Sequence, residues 1–321
     1  MHTTSGRWKL GLLLSLLTAV LWGLLPIALK GLLAYMDALT ITWLRFVIAG
    51  AALFAFLWYR RRLTSLQRLK QRDIVLLMLL VVIGLLGNYI FYMWGLNRVT
   101  PGGAQVMIQT APMLLLFGGL FIFKESFHKT QWFGVLIFAL GLVLFFNQRF
   151  DVLLDPQHDY TLGILLIFIA GVLWAAYALA QKQLLKSFAS EEIMIIVYLA
   201  GSLLFLPLAS PSQVLPLDTF GWLLLLFCGA NTLVAYGAFA EALDHWEASR
   251  VSATLAITPL LTLVFMQLTE YFIPAFLTAE PINSLSVIGA LLVVVGSATT
   301  ALSKQKARKV EGADGVVRID P

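Results

Sequence analysis

Ten apolar runs, separated by short polar stretches, occupy nearly the whole chain. They fall at Trp8–Leu29, Leu39–Tyr59, Ile74–Leu96, Gly102–Phe123, Trp132–Phe146, Leu162–Ala180, Ile193–Ala209, Phe220–Ala240, Val251–Tyr271 and Leu285–Leu302. A helix needs about 20 mostly apolar residues to cross a hydrocarbon core. The pattern therefore predicts an all-α polytopic membrane protein with ten transmembrane helices, spans 1 to 10. The first run is long enough to cross and lacks a small-residue cleavage site, so it reads as a span and not as a leader.

The spans repeat. "AVLWGLLPIALKGLL" from Ala19 returns as "GVLWAAYALAQKQLL" from Gly171, with Val20, Leu21, Trp22, Ala28, Lys30, Leu32 and Leu33 matched at one constant offset by Val172, Leu173, Trp174, Ala180, Lys182, Leu184 and Leu185. Tyr89, Leu96 and Pro112 match Tyr236, Leu243 and Pro259, and "GVLIFALG" from Gly134 matches "GALLVVVG" from Gly289. Five spans separate the copies. Five is odd, so the copies cross in opposite directions, and the expected architecture is two inverted five-helix repeats. The expected boundaries are a first repeat at 1–147, an external linker at 148–160, a second repeat at 161–302 and a disordered cytoplasmic tail at 303–321. The second half also carries an extra stretch, "IPAFLTAEPIN", before span 10. It is expected to form an interfacial or partly re-entrant cap on the outer face.

Composition agrees with a membrane class: 60% of the 321 residues are hydrophobic and 12% charged, against about 25% charged in soluble domains. The net charge of +5 does not imply a nucleic-acid partner, because the basic residues sit in short loops between apolar runs. With a cytoplasmic N-terminus, eighteen of the 22 Lys and Arg fall inside, and only Lys30, Arg98 and Arg149 fall outside, with Arg45 within span 2. The positive-inside rule then places both termini in the cytoplasm.

Polar residues inside apolar spans are costly and tend to face a cavity or a partner helix. In span 4 Gln105, Gln109 and Pro112 share a face by their spacing; span 9 carries Ser252, Thr258 and Pro259. Each proline frees the carbonyl four residues earlier, at Ile108 and Leu255, so the prolines are candidate gates or else static kinks. Trp22, Asn88, Tyr89, Tyr92, Trp174, Tyr177, Gln181, Asn231 and Tyr236, together with Thr258, Gln105 and Gln109, are candidates to line a substrate pathway. Singly, each also fits an interhelical contact. Arg45, about two turns into span 2, is either a cation snorkelling to the outer headgroups, a partner for a helix C-terminus, or a fixed charge for a carboxylate or phosphate.

Cys228 is the lone cysteine, so no intramolecular disulfide or cysteine metal cluster is expected. No Walker A, HExxH or GxSxG sequence occurs, and the four histidines fall outside the spans. No cofactor, metal or catalytic constellation is called for, and the chain does not read as an enzyme.

The motifs "VLWG" in span 1, "LRFVIAG" in span 2, "WGLNRVTPGGAQVMIQTAPMLLLFGGLFIFKESFHKTQWFGVLIFALG" through spans 3 to 5, and the second copy running from "AYGAFAEAL" through "ITPLLTLVF" to Glu270 and "GALLVVVG" resemble the drug/metabolite transporter superfamily, specifically its EamA-like ten-helix members. The likeness covers nearly the whole chain before Ser303. It implies two five-helix bundles around a central cavity with spans 5 and 10 peripheral. It further implies alternating-access export of small organic metabolites, such as amino acids, across a bacterial inner membrane. Span 1 lacks the glutamate through which the small multidrug-resistance branch couples protons, so that mechanism does not carry over, and Lys124 stands where a small residue is usual before Glu125. The partners implied are a small-molecule solute and the bilayer, with no nucleic acid, a monomeric state, and the coupling ion, a proton included, left open. The alternative class is a membrane sensor or scaffold that transports nothing.

Overall fold

The computed structural model describes residues 6–61, 71–123, 128–274, 276–277, 282–302, 309–311 and 317–319. Expected spans 1, 2 and 3 appear as α1 (Trp8–Leu32), α2 (Ala38–Tyr59) and α3 (Arg72–Arg98). Span 4 is broken into α4 (Pro101–Ile108) and α5 (Thr110–Phe123), and span 5 is α6 (Lys129–Phe145). A 3-10 turn at Asn147–Arg149 and the short α7 (Phe150–Leu153) lead to α8 (Asp159–Leu184), α9 (Ser190–Phe205) and α10 (Thr219–His245), which are spans 6 to 8. Span 9 is broken into α11 (Ala248–Leu255) and α12 (Thr258–Phe272), and α13 (Ser284–Leu302) is span 10. A short antiparallel pairing of β1 (Lys309–Glu311) with β2 (Val317–Ile319) lies in the tail.

Among the described residues eight helices or joined helix pairs are long and apolar enough to cross a membrane, and a ninth if α6 and the Asn147–Leu153 segment, bent by 51°, form one span. The remaining helix, α9, has 16 residues. At about 1.5 Å per residue it reaches roughly 24 Å, short of the roughly 30 Å core.

Helix starts follow local chemistry. Asp37 caps α2, accepting from Leu39 N and Thr40 N at 2.9 Å and from the Thr40 hydroxyl at 2.8 Å. Burial alone would raise its carboxyl, but these bonds outweigh burial and hold it below the usual carboxylate range. Asp218 caps α10 through Gly221 N at 2.7 Å, and Thr100 caps α4, whose first residue is Pro101.

The two halves pack on each other as antiparallel helix pairs. α1 lies against α10 and α3 against α8, and the two pairs are equivalent in detail. An added Cβ at Gly11 would meet Trp246 Cβ at 2.5 Å, and one at Gly163 would meet Val99 Cγ1 at 2.6 Å; Trp246 and Val99 each end their helix in extended conformation. Further along, Asn231 donates to Leu21 O at 2.7 Å and Thr18 to Ala235 O at 3.4 Å, while in the other pair Asn88 donates to Ala170 O at 2.9 Å. α2 runs antiparallel to α9, with Trp43 donating to Ser202 O at 2.9 Å, Phe46 against Gly201 and Gly50 against Tyr198.

The closest approach is between α6 and α13. Gly134 faces Gly296 and Gly141 faces Gly289: each added Cβ would come within 2.7–2.9 Å of the facing glycine's carbonyl oxygen. Without a hydrophobic drive between helices in lipid, small residues supply association through close backbone packing. The opposite stripe of α6, Trp132, Phe133, Leu136, Leu140 and Val143, is exposed, which suits acyl chains. At one end the helices are joined by reciprocal amide bonds, Asn147 to Asn283 at 3.1 Å and Asn283 to Asn147 at 2.8 Å.

Replacing Gly141 by Leu should therefore destabilise the fold by about 1–3 kcal/mol through overpacking, lowering the melting temperature of the purified protein in detergent by several degrees. Leu136→Ala on the lipid-facing stripe should leave it nearly unchanged. Equal melting temperatures for Gly141→Leu and the parent would refute close contact between α6 and α13.

Candidate functional site

The breaks in spans 4 and 9 fall at equivalent places. Pro112 and Pro259 lack an amide donor, and the carbonyls they would have served, Ile108 and Leu255, are the last residues of α4 and α11. Nearby hydroxyls satisfy carbonyls at each break: Thr258 donates to Leu255 O at 2.6 Å and Thr110 to Met107 O at 2.8 Å. The prolines thus interrupt both helices and do more than bend them.

Between the halves lies a cavity of about 750 Å³, walled by α1, α2, α3, α4, α5, α8, α10, α11, α12 and α13, within the size range of small-molecule sites. Of the residues expected on a pathway, it brings together Trp22, Arg45, Asn88, Tyr89, Tyr92, Gln105, Gln109, Trp174, Asn231, Tyr236 and Thr258, and Pro112 joins them. Three do not reach it. Tyr177 is buried with its hydroxyl 3.7 Å from Met194 Sδ, Gln181 lies outside the lining, and Pro259 is buried within α12. The deep wall holds buried Leu29, Arg45 and Gln105. The far end reaches exposed Lys182 and Ser252, at the end of the bundle where α8, α10 and α13 finish.

Arg45 settles into this wall and does not snorkel: it is 4% exposed. Its Nε donates to the Thr232 hydroxyl at 3.1 Å, and its guanidinium lies 4.6 Å from the centre of the Tyr89 ring, a cation–π contact. Among the described lining residues there are two cations, Arg45 and Lys182, and no carboxylate. Aromatic faces complete the wall, with Trp22 edge-on to Tyr236 at 5.4 Å and 5.8 Å from Phe239. Three buried polar atoms of lining residues have no hydrogen-bond partner among the described residues: Tyr89 Oη, Asn231 Oδ1 and Ser297 Oγ. Buried polar atoms are nearly always paired, so these three stand out.

The sequence reading missed Ser297 and Thr300, which bring α13 to the cavity although spans 5 and 10 were expected at the periphery. The signal was present in the run "GSATTAL", small polar residues in an apolar helix. The Gly289–Gly296 face packs on α6, and the adjoining Ser297–Thr300 face turns to the interior. Lys124 and Glu125 lie outside the described residues, and no group of three His, Cys, Asp or Glu side chains among the described residues is arranged to hold a metal.

Paired antiparallel repeats in a membrane-spanning bundle, enclosing a solute-sized cavity, are an architecture that suits a membrane transporter. Comparison agrees: the chain belongs to the EamA-like transporter family, which matches residues 9–147 and 161–302. It is 39% identical, over 91% of its own length and 95% of the relative's, to an "Uncharacterized transporter" of Haemophilus influenzae. It is 37% identical, over 91% of each chain, to the "Uncharacterized inner membrane transporter YhbE" of Escherichia coli. A more distant relative, 24% identical over 88% of this chain and 92% of its own, is the "Probable amino-acid metabolite efflux pump" of Escherichia coli. The protein is a multi-pass membrane transporter and not an enzyme.

If the breaks at Gln109 and Ala256–Ile257 act in the transport cycle, Pro112→Ala and Pro259→Ala should slow turnover by about threefold to tenfold while leaving solute affinity nearly intact, as expected when a conformational step limits the rate. Transport rates in proteoliposomes and equilibrium binding to the same preparations measure the two quantities. Unchanged rates in both variants would make the breaks static.

Proposed function

We propose that this transporter exports amino acids or closely related carboxylated metabolites by alternating access across a bacterial inner membrane. The observation that carries the reading is Arg45, a buried cation on the cavity wall with no ion pair among the described residues. A desolvated cation left without an acid strongly favours a carboxylate brought by the solute. Asn231 Oδ1 and Tyr89 Oη are further polar atoms for a zwitterion's remaining groups, and the Trp22, Tyr236 and Trp174 rings suit an apolar side chain. The relative named as an amino-acid metabolite efflux pump supports the same solute class.

Alternating access is supported by a difference between the two ends of the repeat. Lys30 Nζ donates to Leu96 O at 2.7 Å, Asn97 O at 2.8 Å and Val99 O at 2.9 Å, tying α1 to the end of α3. Its counterpart Lys182 lines the cavity beside Leu243, the counterpart of Leu96. The first end is drawn together, and at the matching end the cavity reaches exposed Lys182 and Ser252. In an inverted repeat, exchange of the two arrangements opens the other side. With ten crossings and both termini cytoplasmic, as the basic residues favour, the Lys182 end faces the cytoplasm and the described state is inward-open.

Two measurements test this. In proteoliposomes, Arg45→Gln should lower the transport of labelled amino acids by about tenfold or more, the order expected for losing a charge-assisted bond, while melting within a few degrees of the parent. Transport equal to the parent's would remove Arg45 from solute binding. In intact cells an impermeant maleimide should label Asp155→Cys and leave Lys186→Cys unlabelled; labelling of both from the same side would overturn the inverted topology. Cys228 is buried and does not interfere.

A further inference from the structure

At the end of the bundle opposite the cavity mouth lies a second pocket, of about 450 Å³. It collects Lys30 from α1, Arg98 from the end of α3 and Arg149 from the turn after α6. These are the three Lys and Arg residues that the charge pattern leaves outside the membrane. Three basic residues distant in sequence, on a face otherwise poor in positive charge, converge on one concavity. Like charges brought together raise one another's cost unless an anion compensates.

Among the described residues the available counter-charge is thin. Asp159 lies 3.7 Å from Arg98 Nε, but its side chain is 84% exposed, so solvent screens most of that attraction. Arg98 Nη1 donates to Trp94 O at 2.9 Å, whereas Nε is buried with no hydrogen-bond partner. Arg149 makes no ion pair among the described residues and lies 5.1 Å from the centre of the Tyr160 ring. Lys30 spends its three donors on backbone carbonyls and contributes charge only. Phe276 and Leu277, from the extra stretch of the second half, close one wall. Ile27 and Met266 form a small apolar cluster with the same two residues. The pocket and the central cavity have no lining residue in common.

We propose that this outer pocket is a second binding site, for a carboxylate or phosphate group, held by Arg98 and Arg149 in the field of Lys30. Two sources present that chemistry: a free solute at the outer mouth, or an anionic lipid headgroup. The site stands on its own geometry. Its use as a station on the solute's route depends on the transport cycle proposed above.

Arginine modification tests it on the unaltered full chain. Purified protein in lipid-free detergent is treated with phenylglyoxal at matched ionic strength in sodium chloride, sodium acetate or sodium phosphate, and in chloride with phosphatidylglycerol added to the micelles. Peptide mass spectrometry then reads each arginine separately. Acetate or phosphate should slow modification of Arg98 and Arg149 by 1 + [L]/Kd, about threefold at twice the Kd, while Arg60 and Arg61 at the opposite end react unchanged. Protection by phosphatidylglycerol alone would assign the site to a lipid headgroup, and protection by the soluble salts to a free solute. Equal rates in all four conditions, or equal slowing of every arginine, would overturn the proposal. An effect confined to Arg45 would also overturn it, placing the anion in the central cavity and leaving the function proposed there intact. In Arg149→Gln the protection of Arg98 should disappear; full protection would exclude a jointly built site.

Discussion

Close contact between helices from opposite halves is the constraint on which the rest of the molecule depends. In a bilayer, burying apolar side chains against one another gains little over leaving them in lipid, so helices associate through surfaces small enough to bring backbones together. Gly134 and Gly141 of α6 meet Gly296 and Gly289 of α13 with no room for a side chain between them. Gly11 and Gly163 do the same at the ends of α10 and α3. Because these contacts join equivalent positions of two inverted copies, each half is held mainly by its counterpart. A bundle assembled in this way can carry two related packings without needing two sequences.

Polar groups follow the same logic. Buried side chains find carbonyls on the facing helix: Asn88 at Ala170, Asn231 at Leu21, Thr262 at Gly23. On the cavity wall part of the set is left over: Tyr89 Oη, Asn231 Oδ1 and Ser297 Oγ have no partner among the described residues, and Arg45 has no acid there. Unpaired buried groups cost stability. The broken helices lie at the same level: α4 and α11 end within one residue of Gln109 and Ala256, both of which face the cavity. Irregular backbone at membrane depth is tolerated where it borders such a space.

The two ends of the cavity show how a symmetric sequence yields an asymmetric structure. Lys30 and Lys182 are matched residues, as are Leu96 and Leu243 and, as the helix-end geometry shows, Val99 and Trp246. In the first set the Lys30 ammonium joins the helix end through three carbonyl bonds, and in the second Lys182 and Leu243 line the cavity. A lysine can satisfy three carbonyls only where the helix ends approach within hydrogen-bond reach, whereas the matched end borders the cavity where Lys182 and Ser252 are exposed.

By itself, the sequence determined the apolar helices, the inverted repeat, the membrane class and most of the cavity wall, because hydrophobic length, charge placement and repeated motifs are local or periodic properties of the chain. The polar residues of spans 1, 2, 3, 4 and 8 were legible as pathway candidates since each interrupts an apolar run that lipid would not accept. What it left undecided were helix rotation and depth. Tyr177 and Gln181 sit on the same helix as Trp174, but Tyr177 packs among buried side chains of α3 and α9 while Trp174 reaches the cavity. Pro259 matches Pro112 in sequence and is nonetheless buried, whereas α13 turns Ser297 and Thr300 inward. The short length of α9 and the gathering of Lys30, Arg98 and Arg149 into one outer pocket depended likewise on tertiary structure. Which face of a helix meets its neighbour, and which distant residues share a pocket, are fixed by contacts between segments far apart in the chain, and no local pattern encodes them.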